Sequence, residues 1–267
     1  MTAVGRSELD LTHPEAIAQL ITTLRPTVIV NAAAYTAVDR AETEPELAHQ
    51  INAQAPTVMA QAAQQVGATL VHLSTDYVFE GRQGSPYQES DSTNPIGVYG
   101  QSKRSGELGI EANCDRAFIL RTAWVYGVYG KSNFVKTMLR LGAERSEVRV
   151  VADQIGSPTW AREIAGAIAQ LLQQHGLTPE QVPYGYYHCT NSGVASWYDF
   201  AVAIFEEARA AGETLQVENV IPITTADFPT PAQRPAYSVL AGEKLAGVLG
   251  YSATHWRVSL RAMLAAR

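Results

Sequence analysis

The stretch ATLVHLSTDYVF (68–79) runs from a compact apolar segment straight into a polar turn. Its first seven residues are rich in Leu and Val and too few for an ordinary helix, so they read as a buried strand. TVIVNAA (27–33), AFILRTA (117–123) and VRVVAD (148–153) have the same character, each bounded by polar residues or by Pro or Gly. Between the first two strands lies PELAHQINAQAPTVMAQAAQQVG (45–67), helical in composition and closed by Gly67. THPEAIAQLITTL (12–24) is a further helix, with Thr12 as the expected N-cap and Glu15 three residues on, as a capping box requires. After the fourth strand, Trp160, Ile164, Ile168 and Leu172 recur at steps of four on one helix face. Strands alternating with helices predict an α/β fold, a doubly wound parallel (Rossmann-like) sheet buried on both faces.

The 267 residues allow one large α/β domain, or one domain carrying a smaller lobe. Residues 1–153 read as a dinucleotide-binding core and 154–267 as mainly a substrate-binding lobe, with some elements returning to the core. In the second part PYGYYHCTNSG (183–193) can supply a strand and turn, and SWYDFAVAIFEEARAAG (196–212) is an amphipathic helix. IPITTADFPTPAQRPAYSVL (221–240) holds four prolines, and its aromatic and basic residues favour a binding loop over a linker. With 46% hydrophobic and 17% charged residues the chain can bury a sizeable core. No run approaches the roughly 18 apolar residues of a membrane span, and the amino terminus has no signal-peptide pattern. A cytoplasmic protein without a membrane partner is expected. A net charge of −6, with no block of Lys or Arg, argues against nucleic acid. Cys114 and Cys189 read as free thiols of a reducing compartment. The six histidines never fall at metal-ligand spacing, so no metal built on them is expected.

Ligands of doubly wound sheets bind just beyond the carboxyl ends of the strands. NAAAYT (31–36), STDYVF (74–79) and TAWVYG (122–127) all fall at such ends, so three loops should converge on one crevice. VYGQSKRSGE (98–107) adds Tyr99 and Lys103, four apart and therefore on one helix face. A free phenol, with a pKa of about 10, is a poor proton carrier at neutral pH, and a neighbouring ammonium lowers that value. Thr75, at a strand end, is placed to complete a relay. Tyr-x-x-x-Lys alone also fits an ordinary solvated helix face; its place after the STDYVF strand end is what ties it to the crevice.

RSELDLTHPEAI (6–17), VIVNAAAYTAVDRAETEPELAHQIN (28–52), STDYVFEG (74–81), PYQESDSTNPIGVYGQSKRSGE (86–107), ILRTAWVYG (119–127), NFVKTML (133–139), VVADQIGSPTW (150–160) and RPAYSVL (234–240) together carry a resemblance. The chain resembles the extended short-chain dehydrogenase/reductase family, and within it the dTDP-4-dehydrorhamnose reductase branch. AAAYTAVDRAE (32–42) and DQIGSPT (153–159) separate that branch from sugar-nucleotide epimerases and dehydratases. The resemblance implies hydride transfer from NADPH, or NADH, to the C4 carbonyl of dTDP-4-dehydro-L-rhamnose, giving dTDP-L-rhamnose. It implies Tyr99 as general acid, Lys103 on the nicotinamide ribose beneath it, and Thr75 tuning the tyrosine and contacting the sugar with Asp76. Ala32, Ala33 and Ala34 would pass close to the cofactor, although small residues also serve plain packing. Tyr77 and Trp124 would flank the nucleotide sugar, and DQIGSPT would form a substrate-side turn. Arg234 would meet the diphosphate, unless it is a surface loop arginine, and Asn133 would touch substrate unless it is a helix N-cap. Asp10 and Leu11 match an adenine-side contact, and Arg6 could accept a 2′-phosphate.

The family also includes homodimers, some bridged by Mg²⁺ through carboxylates, whose ligands have no assigned place in this sequence. Its opening strand and Gly-x-x-Gly-x-x-Gly phosphate loop have no counterpart here. Gly5 stands alone, and AVGRSELDL (3–11) aligns with the end of the family's second strand. A strand–loop–helix unit of ~30 residues is thus expected to be absent, through a start placed downstream, a truncated chain or a genuine short variant. The missing strand would be central in the sheet and would leave its neighbours' edges bare. A non-catalytic regulatory or binding homologue is the alternative that this absence favours, whereas the intact Thr75, Tyr99 and Lys103 favour the enzyme. Another nucleotide-sugar reductase or epimerase is a third reading, against which DQIGSPT and RPAYSVL stand.

Overall fold

The apolar runs become strands and lie side by side in parallel: β1 (Val28–Asn31), β2 (Thr69–Thr75) and β3 (Ala117–Thr122). The computed structural model describes residues 1–175 and 183–267. α1 (Pro14–Leu24) precedes β1. α2 (Val38–Ala41), α3 (Pro45–His49), a π-helical turn (Gln50–Gln54) and α4 (Ala55–Val66) lead to β2. α5 (Val98–Glu111) crosses from β2 to β3. Then follow β4 (Val125–Tyr126), α6 (Phe134–Glu144), β5 (Glu147–Val151), β6 (Ile155–Gly156), β7 (Thr159–Trp160), α7 (Ala161–His175) and β8 (Gly185–His188). The chain ends with β9 (Ala195–Ser196), α8 (Trp197–Ala210), β10 (Asn219–Ile223), α9 (Glu243–Leu249) and α10 (Trp256–Ala265). The central sheet has the order β1–β2–β3–β8, all parallel, and no helix among the described residues is long and apolar enough to cross a membrane.

β2 and β3 are buried along nearly their whole length because sheet neighbours flank them and helices cover their faces. β1 is one of the two edge strands, with Val30 47% exposed. The fourth strand of this sheet is β8, out of PYGYYHCTNSG; VRVVAD instead forms β5, paired with β10 in a separate two-stranded sheet. Burial explains the exchange. β5 alternates, with Glu147 and Arg149 outward and Val148 and Val150 inward, which suits a sheet wetted on one face. β8 carries Tyr187, fully buried between α7 and α9.

Thr12 does not cap α1. Its N–H and hydroxyl both donate to Asp10 Oδ1, at 2.9 and 3.0 Å, because an Asp side chain two residues back captures them in a turn of its own. His13 takes the N-cap position without a side-chain bond, and Pro14 starts the helix, where its fixed φ is no handicap. At its other end α4 closes on Gly67 at φ 75°, a left-handed residue as expected of a helix terminator. A second core gathers α6, β5, α8 and α10 around Val135, Phe200, Phe205 and Leu260. α6 and β5 thus pack with the later elements although they precede residue 153, while α7, β8 and α9 return to the central sheet.

Candidate active site

The segments that follow β1 and β2 are held together by α5. Val98 N–H, in the first turn of α5, donates to Glu42 Oε1 at 2.9 Å. A Cβ on Gly100 would run into the Tyr77 carbonyl oxygen, and one on Gly106 into the Asn52 carbonyl oxygen. Glycine therefore lets α5 lie directly on the turn after β2 and on the π-helical turn. Asn52 Oδ1 accepts from Tyr35 N–H at 2.8 Å, while its Nδ2 donates to the Tyr35 carbonyl and the Ser102 hydroxyl, each at 3.0 Å. Ser102 Oγ in turn donates to the Tyr99 carbonyl at 2.8 Å. The NAAAYT loop is thereby fastened to the first turn of α5.

Tyr99 is half-buried and stands edge-on to Tyr77, with ring centroids 5.5 Å apart. Burial pushes its phenol up to about 12; the Thr75 hydroxyl pulls the other way, and the Asp76 charge adds to the rise. Thr75 is buried and donates to Asp76 Oδ1 at 3.0 Å, while Tyr77 N–H donates to Thr75 Oγ1 at 3.2 Å. Asp76 is 2% exposed and its Oδ2 has no hydrogen-bond partner among the described residues. Burial raises its carboxyl to about 6, against the pull of the nearby Ser238 and Thr75 hydroxyls. Lys103, 1% exposed, points down rather than up: Nζ donates to the Leu73 carbonyl at 2.7 Å and lies 3.1 Å from His72 Nε2. Burial lowers its amine to about 8, with Glu107 opposing.

Just beyond β3 Trp124 has φ 48°, a left-handed backbone rare outside glycine. Its indole stacks on Trp197 at 3.5 Å, nearly parallel. A Cβ on Gly156, within DQIGSPT, would stand 2.5 Å from that indole. Ala32 and Ala33 are exposed beside the end of β1, and Ala34 is partly covered. Arg234 is already engaged: its guanidinium binds both oxygens of Asp39 at 2.9 Å and also donates to Thr230 and the Ala232 carbonyl. Asn133 is the N-cap of α6, accepting from Lys136 N–H at 3.1 Å and donating to the Gly127 carbonyl at 2.8 Å. Arg6 is exposed, Asp10 is occupied by Thr12, and Leu11 packs with Leu9 against Ile17 and Ile21. These three lie together before α1. Sequence reasoning missed His72, Asn31 and Trp197. The signal for His72 was a single polar residue inside a continuous apolar strand.

A parallel sheet with Thr75 at the end of β2 and with Tyr99 and Lys103 four apart on the helix that follows fits a Rossmann-like oxidoreductase. The family model described as RmlD substrate binding domain matches residues 1–267. The dTDP-4-dehydrorhamnose reductase of Escherichia coli K12 is 44% identical over 255 residues, 96% of this chain and 84% of that protein. A dTDP-4-dehydrorhamnose reductase of Bacillus anthracis, solved in complex with NADP, superposes with a TM-score of 0.90 at 40% identity, over 99% of this chain and 89% of that one. The Clostridium acetobutylicum orthologue gives 0.90 at 39% identity, over 98% and 89%. This chain belongs to the RmlD substrate-binding-domain family.

Proposed function

We propose that the protein reduces dTDP-4-dehydro-L-rhamnose to dTDP-L-rhamnose with NADPH. What carries this reading is Tyr99 beside the Thr75 hydroxyl at the end of β2, with Lys103 one helical turn further along α5, in a chain 44% identical to the Escherichia coli reductase over 96% of its length. The exposed Ala32 and Ala33 leave the space beside β1 free of bulk, which suits a flat nicotinamide, and Lys103 lies one helical turn below Tyr99. The bound cofactor supplies the hydride. Tyr99 gives its proton to the C4 oxygen as negative charge builds there; a phenol held at about 12 is protonated at neutral pH and ready to act as an acid. Thr75 and the Lys103 ammonium, one helical turn along α5, stabilise the phenolate that remains. Asp76 Oδ2, buried without a partner, accepts from a sugar hydroxyl. Trp124, stacked on Trp197, gives the sugar nucleotide an apolar wall. Arg234 reaches a diphosphate only by exchanging Asp39 for it. Arg6, Asp10 and Leu11 hold the adenosine end, where Arg6 favours NADPH over NADH. Among the described residues no three His, Cys, Asp or Glu side chains gather to hold a metal ion. The same reading puts the reaction in the cytoplasm, in keeping with the free thiols of Cys114 and Cys189.

The test is direct. With dTDP-4-dehydro-L-rhamnose the chain is expected to oxidise NADPH and release dTDP-L-rhamnose; Lys103→Met should weaken NADPH binding and lower turnover. A folded chain that binds NADPH yet leaves both reactants unchanged would overturn the proposal.

A further inference from the structure

Asp39 and Arg234 stand 195 positions apart and meet where the 228–240 loop touches the segment after β1. Nη1 of the arginine donates to Asp39 Oδ1 and Nη2 donates to Oδ2, both at 2.9 Å. Two parallel bonds from a planar fork are also what a guanidinium offers a phosphate. The carboxylate therefore fills a seat with the geometry of a phosphate seat. Arg40, the next residue along, is taken by Glu44.

The pair borders the crevice. Just before α5, a Cβ on Gly97 would stand 3.8 Å from the Gln233 carbonyl oxygen, so the loop runs past the helical turn that carries Tyr99. Burial is what chiefly raises the Tyr77 phenol; the Asp76 charge raises it further, and the Arg234 charge pulls it down. Tyr77 in turn stands edge-on to Tyr99. The guanidinium is thus within electrostatic reach of the rings that frame the reaction.

The loop stays in place without the ion pair. Tyr237 N–H donates to the Gly81 carbonyl at 3.1 Å, Ile155 N–H to the Ala236 carbonyl at 2.8 Å, and Ser238 N–H to the Ile155 carbonyl at 2.8 Å. Pro235 packs on Gly81 so closely that a Cβ there would stand 2.4 Å from it. Arg234 has neutral anchors of its own, since Nη1 also donates to Thr230 Oγ1 at 2.6 Å and to the Ala232 carbonyl at 2.9 Å. These hold the fork when the carboxylate leaves. The Arg234 and Asp39 side chains are 21% and 40% exposed, so an anion can arrive from solvent while Asp39 swings out into it.

We infer that Asp39 is a positioning residue for Arg234 and a placeholder for the substrate's diphosphate: in the free protein its carboxylate fills the guanidinium fork, and the diphosphate takes that fork by displacing it. The inference rests on the proposed reading for the substrate being a nucleoside diphosphate sugar. A diphosphate beside an undisplaced Asp39 would face a like charge, a costly arrangement in a binding site. An uncharged nucleoside meets neither the fork nor the carboxylate. Asp39 therefore restrains the binding of diphosphates alone.

The test is calorimetric titration of the cofactor-free chain with dTDP and with thymidine. Asp39→Asn keeps an oxygen for the Ala232 N–H and for one bond to Arg234, but removes the charge. It should bind dTDP about three- to tenfold more tightly than the wild-type chain, with thymidine binding unchanged. In an Arg234→Gln background the same Asp39 substitution should lose most of that gain. Asp39→Ser, whose hydroxyl can still accept from a backbone N–H, serves if the amide variant fails to fold. Equal or weaker dTDP binding by the folded variant would overturn the inference. So would a gain that survives in full with Arg234→Gln, or a parallel change in thymidine binding, the sign of a plain structural staple. No cofactor or sugar enters these titrations. Tightened dTDP binding in a chain that turns over no sugar would sink the reductase reading alone, whereas normal turnover with unchanged dTDP affinity would sink only the placeholder role.

Discussion

A carboxyl group raised to about 6 by burial, with one oxygen unpartnered, makes Asp76 a costly residue to fold around. For an acid whose folded value lies above its unfolded one, the folded state holds the proton longer. Stability is therefore highest below the unfolded value and falls as pH climbs from about 4 through 6. Asp76→Asn should accordingly stabilise the protein at pH 7 by about 1–3 kcal/mol, a gain that disappears near pH 4, while turnover falls because the sugar loses its acceptor. Denaturant unfolding at both pH values checks the first part and steady-state kinetics the second. Functional residues of this kind commonly trade stability for activity. Tyr99, Lys103 and Thr75 were legible because the first two are neighbours on one helix and the third closes a recognisable strand. His72 and its partner Asn31 were not: they lie 41 residues apart and meet only through the register of two strands. Arg234 was legible as a guanidinium, but not its engagement by Asp39, 195 residues away.

The elements that shape the crevice meet through glycines. Gly156 leaves room for the Trp124 indole, which its strained backbone delivers onto Trp197. Gly156→Ala should displace that stack, costing about 1–3 kcal/mol as an overpacked contact. KM for the sugar nucleotide should rise more than kcat falls, since Tyr99 and Lys103 stand on α5, away from the change. Thermal unfolding and steady-state kinetics together separate this outcome from a general loss of fold. Helix boundaries show how local signals fared. Gly67 ended α4 as expected, and α8 carries a full capping box between Ser196 and Asp199. Thr12 lost its role because Asp10, two residues earlier, competes for the same donors, a contest that a spacing rule does not weigh. PELAHQINAQAPTVMAQAAQQVG read as one helix, but the chain inserts a π-helical turn where Asn52 must reach Tyr35 and Ser102, the kind of distortion often found at functional sites.

At the scale of the molecule, the alternation of strands and helices sufficed for the Rossmann-like class, because a parallel sheet follows from that alternation alone. Which strand came fourth, and which elements crossed residue 153, depended on contacts between distant segments that periodicity does not report. The second core shows how such contacts are fastened. Glu207 of α8, 6% exposed, accepts from Arg257 and Arg261 of α10 at 2.8–2.9 Å and is held down to about 2. A depressed carboxylate contributes stability above its unfolded value that is lost as pH falls through about 4.5 toward 2. The two arginine side chains are 41% and 65% exposed, so solvent screens part of the effect. Glu207→Gln should cost about 1–2 kcal/mol at neutral pH and progressively less toward pH 2, as chemical denaturation across that range will register. Tyr99, as the proton donor, joins the crevice to its reaction, and that role decides the whole account. It is tested most directly by single-turnover reduction of dTDP-4-dehydro-L-rhamnose with NADPH deuterated at the transferring position, in the wild-type chain and in Tyr99→Phe. Deuterium at C4 of the product and a rate lower by ~10²–10⁴-fold in Tyr99→Phe, with NADPH binding retained, is the expected result. Equal rates in the two proteins would contradict the role of Tyr99, and product without deuterium at C4 would contradict the reaction itself.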